Sequence, residues 1–291
     1  MPNPRPDPAQ ALRPDPRQGV FETLLVAGGR PVELEAHLAR LAASVAELFG
    51  AELGGEAREI VVAEAAGLRL GRLRLTATPG RGDDVRRPRD RVDLATHAEE
   101  IEPPTLFPTA ERAVALRSLV VPGGLGPHKW ADRTLLERAE ARFSDDVQSQ
   151  AAGAAAPIAT GRPATTIDDP PAAPLPLLLD LDGAVLEASR ANVFALRGGA
   201  LVTPPADGRI LPGIARAALI DVARAAGREV REEPLTIAEL AAADGVFLTG
   251  SVRGLQPASS LDGGKLPPAV DATLLLAAAL RRRWLRLRPP G

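Results

Sequence analysis

Apolar positions recur along the chain in two spacings, and the switches between them outline the elements. Residues 19–34, G-V-F-E-T-L-L-V-A-G-G-R-P-V-E-L, give a β-rich run, a Gly28-Gly29 turn and a second short run, a hairpin pattern. Leu34, Leu38, Leu41, Val45 and Leu48 then follow one another every three or four residues, which predicts a helix that Gly50 is placed to end. Arg40 lies beside that stripe. A second helix is predicted over 57–66, and Gly67 leads into Leu73, Leu75 and Ala77 alternating with Arg72, Arg74, Thr76 and Thr78. That alternation predicts a strand with one polar, basic face. Residues 112–121 predict another strand, and the V-P-G-G-L-G-P run after it predicts a domain boundary near Gly123.

A helix is predicted over 129–143, with Trp130, Leu135 or Leu136, and Ala139 at its apolar positions. Over 144–176 the composition shifts to Ala, Pro, Gly, Thr and Asp, with Val147, Ile158, Ile167 and Leu175 as the larger aliphatics. Such a stretch buries too little apolar surface to offset its ordering entropy, so it reads as a mobile insertion. Two hairpins are predicted next: 177–187 around Asp182-Gly183, and 192–203 around Gly198-Gly199. Leu211-Pro212-Gly213-Ile214 opens a helix whose stripe is Ile214, Ala218, Val222 and Ala225 and which Gly227 ends. A short helix over 237–242, a strand over 246–249 that breaks at Gly250-Ser251, and a terminal helix over 268–287 complete the pattern. Arg281, Arg282 and Arg283 read as the solvated end of that last helix rather than a nucleic-acid patch.

Composition narrows the chemistry. At 291 residues, 45% apolar and 25% charged, the chain is long enough for about two domains. Its net charge of −2 argues against a partner held through a phosphate backbone, so no nucleic acid is expected. With no cysteine there is no thiolate zinc site, disulfide or cysteine nucleophile, and with no tyrosine no phenol acts as acid or base. His37, His97 and His128 lack metal-ligand spacing, so no metal is expected. The proline-rich residues 1–18 form neither a signal sequence nor a membrane span; they read as a loose tail on a cytoplasmic protein. Among 35 basic residues the lysines are Lys129 and Lys265 alone, so chemistry that needs an amine nucleophile rests on one of these two. Lys265 follows the turn sequence Asp262-Gly263-Gly264, where a lysine is solvated.

Five ordered motifs carry a resemblance. G-V-F-E-T with H-L-A-R-L, then H-K-W-A-D-R, L-E-A-S-R-A-N-V-F with L-V-T-P-P, I-L-P-G-I-A-R, and V-F-L-T-G-S resemble the class IV aminotransferases, the fold-type IV pyridoxal-phosphate enzymes. The resemblance covers residues 19–264 apart from the insertion. It implies an α+β, two-domain fold like that of D-amino acid aminotransferase: a tail to residue 18, a small domain over 19–123 and a larger cofactor-binding domain over 124–291. It implies pyridoxal 5′-phosphate as cofactor, Lys129 as its Schiff-base lysine and catalytic residue, and Glu187 as the partner of the pyridinium nitrogen. Arg40, Gly213, Ile214, Ala215, Thr249 and Ser251 are implied at the phosphate. Ala215 stands where many branched-chain enzymes have a threonine, which removes one side-chain donor.

The tyrosine-free sequence and the H-K-W-A-D-R and L-T-G-S-V-R-G-L-Q-P stretches look most like aminodeoxychorismate lyases. That resemblance implies conversion of 4-amino-4-deoxychorismate to 4-aminobenzoate and pyruvate in folate synthesis, with Arg74, Arg117 and Arg253 as candidates for a substrate carboxylate. It also implies a homodimer and a chorismate-using synthase as source of the small-molecule substrate. A transaminase acting on branched-chain or D-amino acids, and a non-catalytic member of the family, are the alternatives.

Overall fold

The computed structural model describes residues 13–80, 91–154, 173–268 and 270–286. Strand β1 (Val20–Ala27) turns through Gly28 and Gly29, both at positive φ, into β2 (Arg30–Pro31). Helix α1 (Leu34–Phe49) follows and ends on Gly50, whose left-handed backbone lets its N–H return to the Ala46 carbonyl. After α2 (Glu56–Ala66) the chain forms β3 (Leu70–Pro79) and β4 (Val92–Glu100). These strands make an antiparallel sheet in the order β2-β1-β3-β4. Its inward face, Leu24, Val26, Leu73, Leu75 and Ala77, packs on Leu41 and Val45 of α1 and Val61 of α2. The period of two turns Arg72, Arg74 and Thr76 to the other face, as the alternation predicts.

The larger sheet begins with β5 (Val114–Val120), which leads to α3 (Thr134–Ala154), β6 (Leu175–Leu179) and β7 (Ala184–Ala188). Next come β8 (Asn192–Arg197), β9 (Ala200–Thr203), α4 (Ile214–Ala225), β10 (Val230–Glu232), β11 (Leu235–Thr236) and α5 (Ile237–Ala241). The chain ends with β12 (Gly245–Gly250), β13 (Gly254–Leu261), β14 (Gly264–Lys265) and α6 (Val270–Leu285). Along this sheet the order is β10-β9-β8-β12-β13-β5-β6-β7-β11, with β14 on β13. One face is covered by α4 and α6, whose Ala218, Leu219, Leu276 and Leu280 pack with Phe194 and Phe247. Leu25 of β1 joins that same cluster, so the two sheets meet through an apolar seam.

Five expectations differ from what the described residues show. The chain passes to the larger sheet between Glu100 and Val114, so β5 lies before the boundary predicted near Gly123 yet pairs with β6 and β13. The helix predicted to start at Lys129 starts at Thr134, because 129–131 are extended against β1: the Phe21 N–H donates to the Lys129 carbonyl at 2.8 Å and Ala131 donates to Gly19 at 2.9 Å. Asp132 then accepts from the Thr134 N–H at 3.0 Å, a turn that opens the helix. The same helix runs on to Ala154, taking up the first part of the expected insertion, while 155–172 lie outside the described residues. Of the expected loose tail, 1–12 lie outside the described residues, but Asp15 donates its N–H to Asp132 at 2.9 Å and Pro16–Gln18 form a 3-10 turn. Arg283 is not simply solvated, since it pairs with Glu33 at 2.8 Å and Asp221 at 3.1 Å. Among the described residues, no helix is long and apolar enough to cross a membrane.

Candidate active site

One cavity lies where the β5–α3 loop, the β7–β8 turn, the start of α4 and the end of β12 converge beside α1. Lys129, Arg40, Glu187, Gly213, Ile214, Ala215, Thr249 and Ser251 all line it. Lys129 is held there by the strand-like pairing of its backbone with β1, and its Nζ sits 5.0 Å from the centre of the Phe21 ring. Burial pushes the amine's pKa down to about 8, helped by the cations Arg40 and Arg133 and opposed by Glu22 and Glu187. The amine therefore sheds its proton far more readily than a solvated lysine, which makes it a nucleophile near neutral pH. Trapped by a small aldehyde and cyanoborohydride, Lys129 is expected to react faster as pH rises to about 8 and to level off above it. A rate still climbing at pH 10, as for an ordinary lysine, would contradict this; peptide mass mapping separates it from Lys265.

Glu187, at the end of β7, is 7% exposed. Its carboxylate accepts from the Leu211 N–H at 3.2 Å and from the Asn192 amide at 3.3 Å. Burial raises its pKa to about 8, against the pull of the Leu211 N–H, Lys129, Arg133 and Arg40. A buried carboxyl so poised holds or shares a proton with any basic nitrogen brought against it. Asn192 also donates to the Leu211 carbonyl at 2.9 Å, tying Glu187 to the loop that enters α4.

That entry presents unpaired donors. Gly213 has ordinary backbone angles (φ −66°) and gives α4 no side-chain cap, leaving the N–H groups of Ile214 and Ala215 at the positive end of the helix. The Thr249 hydroxyl, nearby and buried, has no partner among the described residues. Space, rather than φ, requires glycine at 213: a Cβ there would sit 1.9 Å from the Asn192 Oδ1. Gly213→Ala is accordingly expected to destabilise the protein by roughly 1–3 kcal/mol through overpacking, read as a lower denaturation midpoint. An unchanged midpoint would show that Asn192 moves aside freely.

Arg40, on α1, reaches the same place from the other side. Its Nε and Nη2 each donate at 2.7 Å to the Glu22 carboxylate, and its Nη1 donates at 2.7 Å to the Pro212 carbonyl. Glu22, 1% exposed, also accepts from His37 Nδ1 at 2.7 Å.

Arg74, Arg117 and Arg253 do not line the cavity. Arg117 is engaged elsewhere, paired with Asp146 at 2.7 Å and lying over Phe143. Arg74 lies 3.7 Å over the Phe21 ring that Lys129 also approaches and, among the described residues, donates to the Thr76 side chain. Arg253 sits two residues beyond Ser251; partial burial and the cations Arg190, Arg72 and Arg112 push its pKa down. Four residues of the site were not singled out from the sequence: Glu22, His37, Arg133 and Asn192. Each falls inside a motif that was, F-E-T, H-L-A-R-L, H-K-W-A-D-R and R-A-N-V-F, so the motifs held the signal although no spacing reported the contacts.

Comparison with known proteins follows the same outline. The amino-transferase class IV model matches residues 19–145 and 173–261. A branched-chain-amino-acid aminotransferase from Escherichia coli is 40% identical over 87 residues, which are 30% of this chain and 28% of that protein. The match thus spans less than a third of that relative's length. A 4-amino-4-deoxychorismate lyase structure from Pseudomonas aeruginosa is 28% identical, with a TM-score of 0.67 over 90% of each chain. The PLP-bound form of a hypothetical aminotransferase from Mycobacterium tuberculosis shares the fold at 24% identity, with a TM-score of 0.72 over 99% of this chain and 95% of that one.

Proposed function

The chain belongs to the amino-transferase class IV family, and on that premise we propose that it is a pyridoxal-phosphate-dependent lyase that splits 4-amino-4-deoxychorismate into 4-aminobenzoate and pyruvate. The residues of the cavity fit the cofactor. The open N-terminus of α4, the unpartnered Thr249 hydroxyl, Ser251 and Arg40 suit a phosphate dianion, Glu187 suits a pyridinium nitrogen, and Lys129 suits an aldehyde. When bound, pyridoxal phosphate supplies an electron sink for the charge left when a proton leaves the carbon next to nitrogen.

The chain's own part is to hold, exclude and move protons. Glu187 would hold a proton at the ring nitrogen. Lys129, which sheds its proton far more readily than a solvated lysine, would take the proton from the substrate carbon that bears the nitrogen. Loss of the enolpyruvyl group as pyruvate then leaves the aromatic ring of 4-aminobenzoate.

The observation that carries the lyase over a transaminase of apolar amino acids is a pair of arginines beside the cavity that form no ion pair among the described residues. Arg74 shares the Phe21 ring with Lys129 and is attracted by Glu137, and Arg253 is repelled by Arg190, Arg72 and Arg112. Aminodeoxychorismate carries two carboxylates, whereas a branched-chain amino acid offers one and an alkyl group. We assign Arg74 and Arg253 to those carboxylates. A second reading, a class IV transaminase, has the branched-chain likeness in its favour. By family resemblance the proposal brings with it a homodimer, a cytoplasmic location and a chorismate-using synthase that supplies the substrate.

The test is to incubate the loaded protein with aminodeoxychorismate and no keto acid. Repeated turnover, with 4-aminobenzoate and pyruvate formed in equal amounts, is the expected result. Product that stops at one equivalent per site, or appears only when a keto acid is added, would move the assignment to the transaminase.

A further inference from the structure

The buried pair Glu22 and His37 is not accounted for by the chemistry above. An ionised carboxylate 1% exposed, under a histidine 1% exposed, is costly to bury unless it orders something. Its pKa is pulled down to about 2 by His37 and Arg40 in spite of burial, so it is charged at every working pH. Burial pushes the His37 pKa down, so the imidazole is neutral. Since Glu22 can only accept, the His37 proton is on Nδ1.

We propose that Glu22 and His37 are positioning residues for the phosphate, holding Arg40 in the one orientation that leaves two guanidinium protons free for the anion. The inference rests on the pyridoxal-phosphate reading. A guanidinium has five N–H donors. The Nε proton and one Nη2 proton go to the two oxygens of Glu22, a fork against a fork, and one Nη1 proton goes to the Pro212 carbonyl. One proton on each Nη remains. Pro212 is the residue before Gly213, so the third bond ties Arg40 to the strap that delivers the N-terminus of α4, across 172 positions of sequence. Arg40 is 10% exposed at its side chain and cannot hold this pose by solvation. Glu22 fixes the plane of the fork, and His37, bonded to the Oε2 that takes the Nη2 proton, fixes Glu22.

The experiment compares two probes, pyridoxal phosphate and pyridoxal, binding to the full-length apoprotein, followed by calorimetry. They share the aldehyde and ring nitrogen and differ in the phosphate alone. Glu22→Gln is expected to weaken pyridoxal phosphate on the order of tenfold to a hundredfold, the cost of losing a hydrogen-bonded charge partner. Pyridoxal binding should not weaken, since pyridoxal lacks the phosphate and removing the Glu22 charge can only favour the free amine of Lys129. His37→Asn, whose amide can donate to Glu22, should keep most of the phosphate affinity, and His37→Leu should not. Equal loss for both probes, or no loss for either, would overturn the positioning role and leave Glu22 a structural residue. Should Glu22→Gln fail to fold, the two His37 variants carry the same comparison. A wild-type protein that binds pyridoxal as tightly as pyridoxal phosphate, or binds neither, would instead remove the cofactor reading on which the inference stands.

Discussion

Lys129→Ala is expected to abolish the visible absorbance of the loaded protein and to lower turnover by at least ~10³-fold, since under the proposed function one side chain both anchors the cofactor and moves the proton. Lys265, exposed on β14, cannot take its place. The loss should not come from unfolding. A lysine whose folded-state pKa is depressed from 10.5 to about 8 costs stability at every pH below about 8, and that cost fades as pH rises toward 10.5. At neutral pH the cost is about 3 kcal/mol, by 1.36 kcal/mol per pKa unit. The apo variant is therefore expected to melt no lower than apo wild type at pH 7, with any advantage shrinking above pH 9. A variant that melts well below wild type would show that Lys129 holds the cavity together rather than serving chemistry. Circular-dichroism melts alongside an absorbance spectrum decide between the two.

Glu187→Gln is the second large effect. An amide is the same size and can accept from Leu211, but it cannot hold a counter-charge to a protonated ring nitrogen, so turnover is expected to fall by about 10²–10³-fold, the scale of a lost preorganised electrostatic partner. Cofactor attachment at Lys129 should persist, which separates this variant from Lys129→Ala. The apoprotein supplies an independent readout with a definite sign. The folded-state pKa of Glu187 is raised from 4.5 to about 8, so its contribution to stability is fully present below about 4.5 and is lost as pH rises through about 8. Glutamine never ionises, so the apo variant should gain stability relative to wild type as pH goes from 5 to 9. A constant difference across that range would mean that the carboxyl is not buried as described.

Where a single periodic face meets a single core, the pattern along the chain was enough. The three-and-four spacing from Leu34 to Leu48 became α1, and the alternation at Leu73, Leu75 and Ala77 became β3. Strand β4 escaped because it is the edge of its sheet: Val92, Leu94 and Ala98 alternate with Asp93, His97 and Glu99, but none is fully buried and the run is short on large apolar residues. Strand β13 escaped because Pro257 and Gly254 read as a break; the sheet tolerates that proline, and pairing with β5 begins only at Ala258. The start of α3 was misplaced because the extended conformation of Lys129 is imposed by β1, more than 100 residues earlier.

The site shows the same division. Lys129 and Glu187 stood out by residue type within ordered motifs, and their pKa values, pushed toward each other by burial, come only from packing. Glu22 acts through Arg40, 18 positions away, and Asn192 ties Glu187 to Leu211, 19 positions away, separations that no local spacing encodes. Arginine counts could not tell Arg117, paired with Asp146, from Arg74, which forms no ion pair among the described residues.

The central claim is that this one cavity holds the cofactor through Lys129, and borohydride reduction of the loaded protein followed by peptide mass mapping tests it most directly. The pyridoxyl mass is predicted on the peptide containing Lys129 in near-stoichiometric amount. The mass on Lys265 or on the N-terminal amine, with Lys129 unmodified, would contradict the account.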